Sequence, residues 1–163
     1  MPLGTTFREL IYKYGNGIID DAKVKAIMPA GASSSLIPAT DAALDTPMDY
    51  ESVPALGAQL GSASVIILDE TVNISDLVES TVHFFKHESC GKCTPCREGT
   101  YWMAHITERI NNGSASKEDI ELLKTVASQM QNKCFCALGE FSISAVLSGI
   151  QHFRADFEAR VEN

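Results

Sequence analysis

The sequence predicts an α+β protein, with a small mixed module over residues 1–70 and a four-helix bundle over residues 71–163. Three observations carry that reading. Prolines and isolated glycines break up the early part, Pro29, Pro38, Pro47 and Pro54 among them, whereas the later part is periodic. Two short strand-like runs lie in the first part, and four apolar stripes at helical spacing lie in the second. All five cysteines fall between Cys90 and Cys136, within the helical part.

Taken in order, Thr5 or Thr6 can cap a short helix through Phe7, Leu10 and Ile11 that ends at Gly15-Asn16-Gly17. Val24-Lys25-Ala26-Ile27-Met28 alternates and stops at Pro29, so it reads as a strand, while the apolar, β-branched run Ser64-Val65-Ile66-Ile67-Leu68 reads as a buried one. Between them, Gly31 to Leu60 is poorly patterned and reads as a long irregular connection, either docked on a partner or simply wrapping the module. In the second part Ile74, Leu77, Val78, Val82 and Phe85 share one face of a helix starting near Ser75. A second helix is expected from about Arg97 to Asn111, burying Trp102 or Met103, Ile106 and Ile110. Ser116, followed by Glu118 and Asp119, caps a third that carries Ile120, Leu123, Val126, Ala127 and Met130. The fourth runs from about Glu140 through Ile143, Val146, Leu147, Ile150, Phe153 and Phe157. These apolar residues read as core, and four such helices with short connections form a bundle.

Composition narrows the function. A 163-residue chain of 17.7 kDa with 45% hydrophobic and 21% charged residues has enough apolar surface for a core, which excludes disorder as its main state. Its net charge of −8 and pI near 4.9 repel phosphate backbones, so no nucleic acid partner is expected. The longest clean apolar run, Val65 to Leu68, is far short of the roughly 20 residues a membrane-spanning helix needs, so no direct membrane span is expected. Met1-Pro2-Leu3-Gly4-Thr5-Thr6-Phe7-Arg8 has no secretory pattern, and clustered cysteines in odd number do not suit a disulfide framework. A reducing, cytosolic compartment in which the thiols serve a metal is the reading that follows.

Cys90-Gly91-Lys92-Cys93-Thr94-Pro95-Cys96 places three thiols within one short loop just before the second helix, and Cys134 and Cys136 lie between the third and fourth. A cubane iron–sulfur cluster carries its irons at separate corners, so a tight loop that aims three thiolates at one small object suits it. Gly91 lets the backbone approach closely, Pro95 stiffens the turn, and Lys92 and Arg97 add positive charge. Structural zinc is the rival, but its usual ligands come as two separated Cys-x-x-Cys pairs rather than three and one. Either Cys136 or Cys134 can supply the fourth thiolate; Cys136 stands closer to the fourth helix, which leaves Cys134 as a spare thiol. His83 and His87 read as surface or outer residues rather than ligands.

At these residues the chain resembles the NADH-binding flavoprotein subunit of respiratory complex I and its relatives in NAD-reducing hydrogenases and formate dehydrogenases. The resemblance rests on Glu88-Ser89-Cys90-Gly91-Lys92-Cys93-Thr94-Pro95-Cys96-Arg97-Glu98-Gly99-Thr100 and on Cys136-Ala137-Leu138-Gly139. Gly4-Thr5-Thr6-Phe7-Arg8-Glu9-Leu10-Ile11, Leu44-Asp45-Thr46-Pro47-Met48-Asp49-Tyr50, Leu60-Gly61-Ser62 and Phe153-Arg154 also match. Two runs depart from the family: its Pro-Gly-Gly-Ser is here Pro29-Ala30-Gly31-Ala32, and its Leu-Gly-Ser-Gly-Gly-Val is here Leu60-Gly61-Ser62-Ala63-Ser64-Val65.

The resemblance implies that the first module is a soluble-ligand-binding β-grasp, incomplete because its opening strands should precede Phe7, and that the second is an iron–sulfur module. It implies a 4Fe-4S cluster on Cys90, Cys93, Cys96 and Cys136 that takes electrons from reduced flavin and passes them to the next cluster. FMN and NADH belong to an N-terminal domain of the family whose glycine-rich loop this sequence does not contain, so the chain reads as the C-terminal portion and is not expected to oxidise NADH alone. Expected partners are the flavin- and NADH-binding domain or subunit and other iron–sulfur subunits. The expected location is cytoplasmic, peripheral on the inner face of the membrane, or the mitochondrial matrix equivalent.

Overall fold

In the computed structural model, which describes residues 2–161, the chain forms two units that meet in sequence between Val72 and Asn73. The first is organised by a three-stranded antiparallel sheet of β1 (Val24–Met28), β2 (Ile37–Pro38) and β3 (Ile66–Asp69), in the order β2-β1-β3. Ala26 stands opposite Pro38 and Leu68, and Ile27 opposite Ile37 and Ile67. On the central strand β1, Ala26, Ile27 and Met28 are all fully buried, so both faces of the sheet are covered there, where alternation alone would bury one face. The run expected as a buried strand is instead the edge strand β3, and its Ile66 is 40% exposed.

The stretch from Gly31 to Leu60 is more ordered than its pattern suggests. It contributes β2, whose Pro38 is tolerated at a sheet edge, and two short helices, α1 (Asp41–Leu44) and α2 (Ser52–Ala55). The Thr40 hydroxyl accepts from Ala43 N–H at the start of α1, and Asp49 accepts from the N–H groups of Glu51 and Ser52 ahead of α2. Its Ile37, Ala43, Leu44, Met48, Val53 and Leu60 join Phe7, Ile11 and Ile27 in one apolar core. The expected N-terminal helix is present in part as a π-helix, Glu9–Tyr14. Thr6 is the residue that caps its approach, since Thr6 and Glu9 exchange side-chain and backbone hydrogen bonds.

The departures from the family's glycines have visible consequences. A Cβ at Gly61 would lie 2.6 Å from the Cβ of Ala30, so the two substituted runs pack directly on each other. Ala63 holds φ +54°, a left-handed conformation that glycine adopts without cost and alanine does not.

The second unit is a closed bundle of α3 (Ile74–Glu88), α4 (Thr94–Asn111), α5 (Lys117–Met130) and α6 (Ala137–His152), with α7 (Arg154–Glu158) appended. Each long helix packs on the next, and α6 returns to α3. Val78, Val82, Met103, Ile106, Ile110, Ile120, Leu123, Ile143 and Val146 fill the interior. Met103 rather than Trp102 faces inward; Trp102 is 55% exposed. The expected fourth helix breaks at Phe153, and α7 brings Phe157 into the core and the Asp156 carboxylate within 2.7 Å of Ile74 N–H, at the start of α3. Ser116 and Asp119 form the capping box of α5. Both α4 and α6 begin earlier than the apolar stripes indicate, at Thr94 and Ala137, which places Cys93 and Cys136 at their N-caps and Cys96 in the first turn of α4.

Candidate metal-cluster site

After α3 the chain turns through Ser89, Cys90 and Gly91 into α4. Gly91 has φ +70°, which a side chain would oppose. Cys93 is the N-cap of α4 and Cys96 lies in its first turn; both are buried, while Cys90 is exposed. The Ser89 hydroxyl stands 3.2 Å from Cys96 Sγ and accepts from Gly91 N–H. Arg97 donates to the Gly91 carbonyl at 2.8 Å and pairs with Glu98, so it braces the loop as well as adding charge. Thr100 closes the turn from below by donating to the Cys96 carbonyl.

The second segment leaves α5 at Met130 and enters α6 at Cys136, its N-cap. Asn132 N–H donates to the Glu140 carboxylate at 2.6 Å, which fixes the start of α6 to the turn before it. Cys136 is exposed, Phe135 is 80% exposed, and Cys134 is half-buried. A Cβ at residue 139 would collide with Cys134 Sγ, so glycine is what allows this thiol its place on α6.

The two segments meet at Cys93. The nearby backbone N–H of Phe135, then that of Cys96 and the Cys134 thiol, favour its thiolate and hold it below the ordinary thiol range. Burial pushes the Cys96 thiol up; the Ser89 hydroxyl opposes this, and negative charge at Cys93, Cys136 and Cys90 adds to it. Cys134 is pushed up to about 11, first by burial and then by Cys93 and Cys96. All five cysteines therefore share one electrostatic neighbourhood, with the positive ends of α4 and α6 at its edge. Among the described residues no three His, Cys, Asp or Glu side chains close on a single ion. His83 pairs with Glu108 and His87 with Glu88, so both histidines take carboxylate partners. Sequence reasoning missed Ser89 and the Phe135 N–H; the first is visible in the motif only as an unassigned hydroxyl, and the second is a backbone group with no sequence signature.

A four-helix bundle with cysteines at two helix N-termini is a helical domain suited to carry a metal–sulfur cluster. The family described as "NADH-ubiquinone oxidoreductase-F iron-sulfur binding region" matches residues 76–160, and the chain belongs to that family. One subunit of the NADH-quinone oxidoreductase of Mycobacterium tuberculosis is 46% identical over 161 residues, covering 99% of this chain and 36% of that protein. Its counterpart in the NADH-quinone oxidoreductase of Rhizobium meliloti is 38% identical, again covering 99% of this chain and 38% of the relative. A crystal structure of NAD+-reducing NiFe hydrogenase in its H2-reduced state aligns with a TM-score of 0.86 at 30% identity, covering 99% of this chain and 27% of that one. This chain thus spans little more than a third of the curated relatives it matches.

The resemblance read from the cysteine motif stands, and so does the α+β fold class. The family's cofactor is a 4Fe-4S cluster rather than structural zinc. The donor set here suits that group: thiols are the ligands such a cluster takes, and the N–H groups and helix ends around them balance its negative charge. No helix among the described residues is long and apolar enough to cross a membrane.

Proposed function

We propose that this chain is the electron-transferring part of a complex I type NADH dehydrogenase, with one 4Fe-4S cluster held by Cys90, Cys93, Cys96 and Cys136. When bound, the cluster supplies reversible one-electron transfer. The chain's own residues fix the ligands and balance their charge. Cys93 and Cys96 are presented by the first turn of α4, Cys136 by the start of α6, and Cys90 by the turn at Gly91. The Ser89 hydroxyl stands at hydrogen-bond distance from the Cys96 sulfur, and the N–H groups of Phe135 and Cys96 favour the thiolate of Cys93. The observation that carries this reading is the close approach of α6 to α4 at Gly139, beside both Cys134 and Cys96, which joins two cysteine segments about forty residues apart in one site.

On this reading residues 1–70 are the β-grasp module and residues 71–163 the cluster domain. The electron donor is reduced FMN on a flavin- and NADH-binding domain or subunit, and the acceptor is a cluster in a partner iron–sulfur subunit. The assembly would lie in the cytoplasm, on the inner face of the membrane or its mitochondrial counterpart. A quinone-linked parent is favoured over a hydrogenase, because identity is 46% to the quinone-linked relative and 30% to the hydrogenase chain. The test is anaerobic reconstitution followed by iron and sulfide analysis and an NADH oxidation assay with an artificial acceptor. About four irons per chain and no NADH turnover are expected; one zinc per chain, or turnover by the purified chain, would overturn the reading.

A further inference from the structure

We infer that Gly99 is a positioning residue for the cluster site: its missing side chain lets Met130 seat on α4, and that seat sets where the segment carrying Cys136 lies against Cys93 and Cys96. The inference rests on these cysteines being ligands, as proposed above. Glycine inside a helix costs stability relative to alanine, because it gives up more chain freedom on folding. Gly99 nevertheless stands in α4, three residues after Cys96, and is buried. A Cβ there would overlap the Met130 sulfur and lie 2.6 Å from its Cγ and 3.1 Å from its Cε, all inside ordinary van der Waals separation. The thioether of Met130 thus fills the notch that the glycine leaves.

Met130 is the last residue of α5, and the second cysteine segment starts from its backbone. Its carbonyl accepts from Lys133 N–H at 3.1 Å and stands 3.8 Å from Cys134 Sγ. One residue therefore has its side chain fixed on α4 one turn beyond Cys96 and its backbone fixed to the turn that leads to Cys136. Gly139 makes a second notch in the same place, since it admits Cys134 against α6. Met130 is 2% exposed and interiors are close-packed, so a methyl added at residue 99 displaces the end of α5 and not the thioether alone. Ligands need to be held within roughly 0.5 Å of their working geometry, and a shift at this seat reaches Cys136 through only five intervening residues.

The experiment is a double-mutant cycle on the full chain: the natural sequence, Gly99→Ala, Met130→Ala and the two substitutions together. Amide exchange is followed without the cluster. Iron per chain, the rate of iron release to a chelator and the EPR line shape of the reduced cluster are followed after anaerobic reconstitution. In the natural background Gly99→Ala should keep its helices by far-UV circular dichroism, exchange faster from Gln131 to Leu138, release iron several-fold faster and change the EPR line shape. In the Met130→Ala background, where the three atoms facing residue 99 are gone, the same substitution should change these readouts little. Natural behaviour in Gly99→Ala overturns the inference and leaves the cluster assignment standing. An equal effect in both backgrounds assigns it to α4 itself and overturns the inference too. If Gly99→Ala alone does not fold, Met130→Ala against the double variant decides: equal iron release supports the seat, and faster release from the double variant overturns it. A natural chain that takes up no iron would overturn the proposed ligand set instead, a result the exchange measurement does not depend on.

Discussion

The two cysteine-bearing segments that the proposed ligand set joins are built differently. The segment before α4 is braced by its own side chains: Ser89 bonds Cys96 and Gly91, Arg97 bonds the Gly91 carbonyl, and two of its three thiols are buried. The segment before α6 places Phe135 and Cys136 in solvent and is fastened by Asn132 N–H to the Glu140 carboxylate and by the seating of Cys134 on Gly139. One half of the site is preformed by local chemistry, and the other is positioned largely by what it docks against. Cluster binding should therefore order the second half more than the first.

The largest effect should come from breaking the preformed half. Cys96→Ser removes a buried thiol in the first turn of α4, and iron per chain after reconstitution should fall to a small fraction of the natural value. Retained stoichiometric iron would mean the cluster is held elsewhere. The bundle should survive, because its apolar stripes do not need the metal, and its far-UV circular dichroism should show as much.

Next in size is the docking of the second half. In Gly139→Val a side chain enters the space that Cys134 occupies, and overpacking of this kind costs about 1–3 kcal/mol. Urea unfolding of the cluster-free chain reads the loss, and amide exchange should place it in Lys133 to Leu138 more than in Cys90 to Cys96. Equal loss in both segments would erase the distinction between them.

A pH series sharpens the same contrast. Cys134 is raised from 9.0 to about 11 in the folded chain, so the folded state keeps a proton that the unfolded state releases. Its contribution to stability is complete below pH 9 and is lost as pH rises through 11. The cluster-free chain should lose stability over that window, and Cys134→Ser should lose less; identical slopes would place Cys134 in water.

The smallest effect lies away from the cysteines. Ala63→Gly relieves the left-handed alanine between Ser62 and Ser64 and should stabilise the first unit by up to about 1 kcal/mol, part of the relief being offset by glycine's freedom when unfolded. Thermal unfolding reads the change, and iron content should not move.

What could be read from the sequence divides along physical lines. Helical periodicity and the cap at Ser116 mark the bundle because each long helix buries one stripe, and the spacing of Cys90, Cys93 and Cys96 marks the candidate site because three thiols in one tight loop suit a cluster. The starts of α4 and α6 were read late, since Thr94, Pro95 and the run from Ala137 carry no apolar stripe and are held by backbone capping. β2 escaped notice because two residues make no pattern, and Ile66 misled because an apolar edge strand looks like a central one until its neighbours are known.

The central claim is that Cys136, and not its neighbour Cys134, completes a four-thiolate site with Cys90, Cys93 and Cys96. Iron and acid-labile sulfide measured side by side on anaerobically reconstituted Cys136→Ser and Cys134→Ser test it most directly. The account predicts about four irons in the Cys134 variant and a clear deficit in the Cys136 variant. A full cluster in Cys136→Ser together with an empty Cys134→Ser would contradict it.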